Sequence, residues 1–166
     1  MPVILFVCNA NLFRSVLAEA SFTAKLQAKG NAPGWVVRSA GIWTQPGLPP
    51  LKEAVVFAKS KGWELSANRS REVNLKLLEA SDLIIVMTRS QQEAIEIEFP
   101  QVKRRLFLIS EICTHQTFDV RDPLEDPMVG WEEVGREIDS LITSGFDNIY
   151  NLAVRAEAKY HLRSET

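Results

Sequence analysis

A chain of 166 residues is long enough to bury one substantial core and short for two independent ones, so a single domain over residues 1–166 is predicted. Its 46% hydrophobic and 24% charged residues, with two cysteines, exclude the disordered, fibrous and disulfide-stapled classes. A net charge of −2 supplies no positive field for nucleic acid, and apolar runs of five or six residues fall far short of the roughly 20 that span a bilayer, so neither partner is expected.

The chain opens on Met1-Pro2 and passes directly into an apolar run with no basic leader, from which a cytoplasmic protein is expected. In a reducing compartment Cys8 and Cys113 are free thiols. Val3-Ile4-Leu5-Phe6-Val7 is apolar throughout and β-rich, the mark of a central strand buried on both faces. Polar, turn-prone residues follow from Cys8, and then Phe13, Leu17, Ala20 and Ala24 recur at helical spacing until Gly30. Trp35-Val36-Val37 reads as a second strand leading into Ser39-Ala40-Gly41, and Leu51 to Lys61 as a helix after the Pro49-Pro50 break.

A short helix around Asn74 to Ala80 then feeds a strand from Asp82 to Met87, followed by a helix from about Ser90 to Glu98 that stops at Pro100. Leu106 to Ile109 is the fourth strand. Beyond a loop from Asp119 to Pro127, the stripe Trp131, Val134, Ile138 and Leu141 predicts another helix. Gly145 is expected to break it, leaving a further C-terminal helix at about 146–160 before the polar tail His161 to Thr166. Strands alternating with helices require crossovers, which makes the fold α/β: a four-stranded parallel sheet with helices on both faces.

In such a sheet, ligands bind beyond the carboxyl ends of the strands, where a helix N-terminus offers free N–H groups to an anion. Cys8-Asn9-Ala10-Asn11-Leu12-Phe13-Arg14-Ser15 lies there and has the form C-x5-R-S. Five residues let the backbone wrap a tetrahedral phosphate, so residues Asn9 to Phe13 are expected to bind substrate. Arg14 closes the ring, because a planar guanidinium gives two parallel hydrogen bonds to phosphate oxygens. The cationic, amide-lined pocket favours the thiolate of Cys8, the nucleophile, and Ser15 is placed to hydrogen-bond that sulfur. Asn11 suits a left-handed turn position. Cys8 alone would read as a buried strand-end thiol and Arg14 as a solvated helix residue; their order on one turn with Ser15 favours chemistry.

The segment Val7-Cys8 to Ser15 after a first strand resembles the low-molecular-weight protein tyrosine phosphatases, and the likeness extends over roughly the first 140 residues. Ser39-Ala40-Gly41, with Gly47 and Pro49, and Asp82 to Thr88 resemble further landmarks of the family. The fold expected is then one domain of strand order 2-1-3-4 with the phosphate loop after strand 1, loop-supporting roles going to Asn11, Ser15 and Ser39. The resemblance implies that Asp122 of Asp122-Pro123 is the general acid; Asp126-Pro127 competes, but Asp122 has the better spacing to Trp131, nine residues on. It also implies a phosphocysteine intermediate, no cofactor and no metal, inhibition by phosphate-like oxyanions, and a phosphotyrosine protein or small aryl phosphate as substrate. Through Leu12 the resemblance implies an aryl phosphate rather than phosphoarginine, with Trp43 as one wall of the slot and Leu124, a substrate-binding candidate, standing in the place of the family's stacking aromatic.

The sequence departs from the family pattern at Ala10, Phe13, Val16, Asn68 and Leu124, and Ala10 is expected to strain the loop if its backbone must adopt positive φ. Two rival functions share the fold: a phosphate- or partner-binding module with little turnover, and a thiol-dependent arsenate reductase, which needs a relay of thiols where this chain has only Cys113. His115 and His161 lack metal-ligand spacing and read as solvated residues.

Overall fold

The computed structural model describes residues 1–161; the tail from 162 to 166, and with it most of the predicted polar tail, lies outside the described residues. Four strands, β1 (Val3–Cys8), β2 (Val36–Gly41), β3 (Leu83–Val86) and β4 (Leu106–Leu108), form one sheet of order β2-β1-β3-β4. Every neighbouring pair is parallel, with Cys8 opposite Gly41 and Val7 opposite Val86. The connections are α1 (Arg14–Ala28), α2 (Lys52–Ser60), α3 (Leu75–Glu79) and α4 (Arg89–Glu98); α5 (Ile109–Thr114) and α6 (Trp131–His161) complete the chain. The predicted α/β class, strand order and crossovers are those observed.

Side chains alternate across a strand, and β1 divides the core accordingly. Ile4, Phe6 and Cys8 join one apolar cluster with α1, α2, α5 and α6, whereas Leu5 and Val7 join a second one with Leu77, Leu78, Ile95 and Val102. The central strand is therefore buried on both sides, as its uninterrupted apolar run requires, and Cys8 ends it facing the α1 side.

Two departures from the sequence expectation have clear causes. Ile109–Thr114 is helical, although the run Leu106 to Ile109 reads as continuous strand. Ser110 Oγ instead bonds the backbone of Phe118, donating to its carbonyl and accepting from its N–H, which folds the segment back on itself. Gly145 does not end a helix: α6 runs unbroken from Trp131 to His161. A Cβ at Gly145 would stand 2.4 Å from Cys113 Sγ and 2.7 Å from Cys113 Cα, so this glycine marks a close helix crossing. The separate helix expected at 146–160 is the second half of α6.

Candidate active site

The loop between β1 and α1 is short, and its conformation depends on neighbours on every side. Asn11 has φ 58°, the left-handed conformation its amide tolerates, while Ala10 does not have positive φ, so the strain expected of it does not arise. Asn11 is buried; its Nδ2 donates to Ser15 Oγ at 2.8 Å and its Oδ1 accepts from the Arg71 N–H at 2.9 Å. Ser15 Oγ lies 3.0 Å from Cys8 Sγ. The carbonyls of Cys8, Asn9 and Leu12 accept from the N–H groups of Ile42, Trp43 and Leu51. Gly41 makes this fit possible, because a Cβ there would come within 2.6 Å of the Asn9 carbonyl oxygen.

At the start of α1 the N-cap, Phe13, makes no side-chain capping bond, and the first turn carries no acidic residue. The first N–H groups of the helix, beside the positive end of its dipole, remain suited to an anion. Arg14 is buried, Nη1 donating to the Val120 carbonyl at 2.9 Å and Nη2 to Asp122 Oδ2 at 3.1 Å. The loop after α5 thus brings the first Asp-Pro pair to the arginine, while Asp126 of the second pair turns to Arg121.

The other expected site residues fall into two groups. Asn9 and Leu12 are half-buried on the loop, Leu124 is half exposed with its N–H donating to Asp122 Oδ1 at 3.0 Å, and the Trp43 indole is 83% exposed. The Phe13 ring is buried and meets Trp131 edge-on with centroids 4.9 Å apart, so its side chain serves the core. Ser39 makes no side-chain hydrogen bond to the loop among the described residues; its hydroxyl donates to Glu19 Oε2 at 2.5 Å. Burial pushes the Glu19 carboxyl above the usual range, against the opposing pull of Ser39, Arg71 and Asn68.

Two neighbours escaped the sequence reading. Gln91 Oε1 accepts from the N–H groups of Met87 and Thr88, and its Nε2 donates to Asn9 Oδ1 at 2.8 Å; Asn9 Nδ2 in turn reaches Glu125 Oε1 at 3.3 Å. Thr88 and Gln91 form a capping box, whose T-x-x-Q spacing was a usable signal. The Glu125 contact joins residues 116 apart and had none. Among the described residues, no group of three or more His, Cys, Asp or Glu side chains is arranged to hold a metal.

A thiol, a guanidinium and free helix amides on a strand-to-helix turn of a parallel sheet define the cysteine phosphatases built on a phosphate loop. Residues 3–152 match the family described as low molecular weight phosphotyrosine protein phosphatase, and the chain belongs to that family. Over 133 residues it is 32% identical to a probable low molecular weight protein-tyrosine-phosphatase, EpsP, of Ralstonia nicotianae, covering 80% of this chain and 86% of that one. It is 29% identical to a protein-arginine-phosphatase of Geobacillus stearothermophilus over 139 residues, covering 84% and 90% of the two chains. The crystal structure of a low molecular weight protein tyrosine phosphatase from T. tengcongensis superposes with a TM-score of 0.80 at 30% identity, covering 89% of this chain and 99% of that one.

Proposed function

We propose that this phosphatase hydrolyses phosphotyrosine in proteins, or small aryl phosphates, with Cys8 as nucleophile, Arg14 as phosphate clamp and Asp122 as general acid. The observation that carries the reading is that one turn, β1 to α1, presents both the Cys8–Ser15 contact of 3.0 Å and the Arg14–Asp122 contact of 3.1 Å. In the first step the Cys8 sulfur forms a bond to phosphorus as the ester P–O bond breaks, and Asp122 delivers a proton to the departing phenolate oxygen. In the second, water attacks phosphorus, Asp122 takes its proton, and the S–P bond breaks to release phosphate, the sulfur leaving as a thiolate steadied by Ser15. Arg14 spreads its charge over the phosphoryl oxygens in both steps. A bound phosphate competes with Asp122 for the guanidinium, which frees the carboxyl to face the leaving group.

The relatives carry names for both tyrosine and arginine phosphatases. Leu12, with exposed Trp43 and Leu124 beside the loop, favours the flat apolar leaving group of the former. Cys113 is buried beneath Gly145, a poor position for a thiol relay of the arsenate-reducing kind. Among the described residues no helix is long and apolar enough to cross a membrane, and both cysteines are free, which fits a cytoplasmic enzyme.

The test is steady-state hydrolysis of para-nitrophenyl phosphate at mildly acidic pH. Turnover should vanish in Cys8→Ser, fall by about 10² to 10⁴ in Asp122→Asn, and be inhibited by vanadate. A reduced wild-type protein that binds phosphate without turnover would make this a binding module instead.

A further inference from the structure

The edge strand β2 and the segment before α3 border an open surface cavity of about 220 Å³ that the proposed chemistry does not use. Three exposed arginines, Arg38, Arg69 and Arg71, line it together with Ser39 and Asn68; Glu19 is its one acidic residue. None of the three arginines forms an ion pair with a carboxylate within 4.0 Å among the described residues, in contrast to Arg14, Arg89, Arg121 and Arg136, although Arg71 attracts Glu19 from farther off. Arg69 is fixed at the rim by donating from Nη1 to the carbonyls of Ser66 and Asn68 at 2.9 and 2.6 Å. Its remaining N–H groups have no partner among the described residues. The Glu19 carboxyl, raised by burial and already accepting from Ser39, opposes an anion less than a free carboxylate would. Phosphate esters suit such a lining, since guanidinium forks match pairs of phosphoryl oxygens.

This cavity is separate from the phosphate loop. Arg38 pairs with Leu5 in the sheet, three residues before the pairing of Cys8 with Gly41, which is roughly 10 Å along the strand. The two regions are nonetheless joined through the backbone of one residue: Arg71 gives its N–H to Asn11 and its carbonyl oxygen accepts from the Gly41 N–H at 2.8 Å.

We propose that the cavity bounded by Arg38, Arg69 and Arg71 is a second anion site, taking a small free phosphate-bearing polyanion of the size of pyrophosphate. An occupant there braces the segment 69–71 that buttresses Asn11, which makes the site a place from which such an anion acts on the phosphate loop. The assignment stands apart from the catalytic roles given above, because no residue of the proposed chemistry lines the cavity.

The experiment is a titration of the reduced wild-type protein with inorganic pyrophosphate, followed by ¹H–¹⁵N spectra that resolve backbone amides and arginine Nε–H groups. Two saturation curves with different midpoints are expected, one on amides 9–15 and one on the Nε–H groups of Arg38 and Arg69 with amides 67–71. The double variant Arg38→Gln with Arg69→Gln should weaken the second by about tenfold or more and leave the first in place. Arg38→Gln alone, which disturbs no hydrogen bond of the segment, should weaken it in the same direction. Movement confined to amides 9–15, or a second curve unchanged in both variants, overturns the proposal; a missing first curve with the second intact counts against the phosphate-loop reading alone.

Discussion

The phosphate loop and the α5–α6 crossing each bury a cysteine, and the two sites differ in everything except burial. Cys8 ends a strand beside the Ser15 hydroxyl, Arg14 and the uncapped start of α1. Cys113 lies in α5 under Gly145 of α6, and burial pushes its thiol up to about 12. Removing a sulfur from water by itself favours the neutral thiol and makes it inert. What distinguishes the first site is its company, a hydroxyl and the start of a helix that opens with Arg14, all on a turn that other segments hold in place. Hence the number of cysteines says little about reactivity, and the sequence immediately after each says a great deal.

The largest expected effect sharpens this contrast directly. At pH 7 a thiol titrating near 12 is ionised in about one molecule in 10⁵, so Cys113 should resist iodoacetamide in the native protein. Mass spectrometry of the native enzyme should show one alkylation, at Cys8, with activity lost in parallel and protection by inorganic phosphate. Cys113 should react only after denaturation. Comparable labelling of both in the native state would break the comparison and remove the special character assigned to the loop.

The next effect concerns packing. In a helix interior Ala is favoured over Gly by about 1 kcal/mol, so Gly145→Ala would stabilise an isolated α6. Here the added Cβ would stand 2.7 Å from the Cα of Cys113, and backbone cannot yield as a side-chain tip can. The expected outcome is a net loss of about 1–3 kcal/mol, seen as a lower Tm, with the KM for para-nitrophenyl phosphate unchanged. A raised Tm would show that the helices separate easily and that Gly145 is dispensable.

The same glycine shows where sequence reasoning stops. The apolar run of β1, the helical stripe of α1 and the C-x5-R-S spacing were legible because each is a local pattern with one dominant physical reading. A glycine inside an apolar stripe signals a helix break locally, and only the neighbour across the crossing reveals the packing role of Gly145. The position of Phe13 in the C-x5-R-S loop is legible locally, whereas the packing of its ring on Trp131, more than a hundred residues away, is not. Asn9 reaching Glu125, and Ser39 meeting Glu19 of α1, are likewise tertiary facts. Asn11 was legible because its role is written in its own backbone preference.

The smallest effect lies on the far side of α1, where polar groups tie helices together without touching the loop. Asp139 on α6 accepts from Ser21 Oγ and from Lys25 Nζ, each at 2.7 Å, and Lys61 Nζ lies 3.4 Å away. Burial pushes its carboxyl up, but the bonds from Lys25 and Ser21 with the charges of Lys25 and Lys61 outweigh this, and the net shift is downward. A depressed carboxyl gives stability that is fully present above the ordinary carboxylate range and is lost as pH falls through its folded value. Asp139→Asn should therefore cost about 1–2 kcal/mol at pH 7 in urea unfolding, with turnover unaffected. The gap between wild type and variant should close as the pH is lowered through and below the ordinary carboxylate range. Glu19, shifted the opposite way, is common to both proteins and cancels in the difference. A gap that stays constant into acid would mean that Asp139 contributes shape and hydrogen bonding alone, with its charge immaterial to how α1 and α6 are held beneath the phosphate loop.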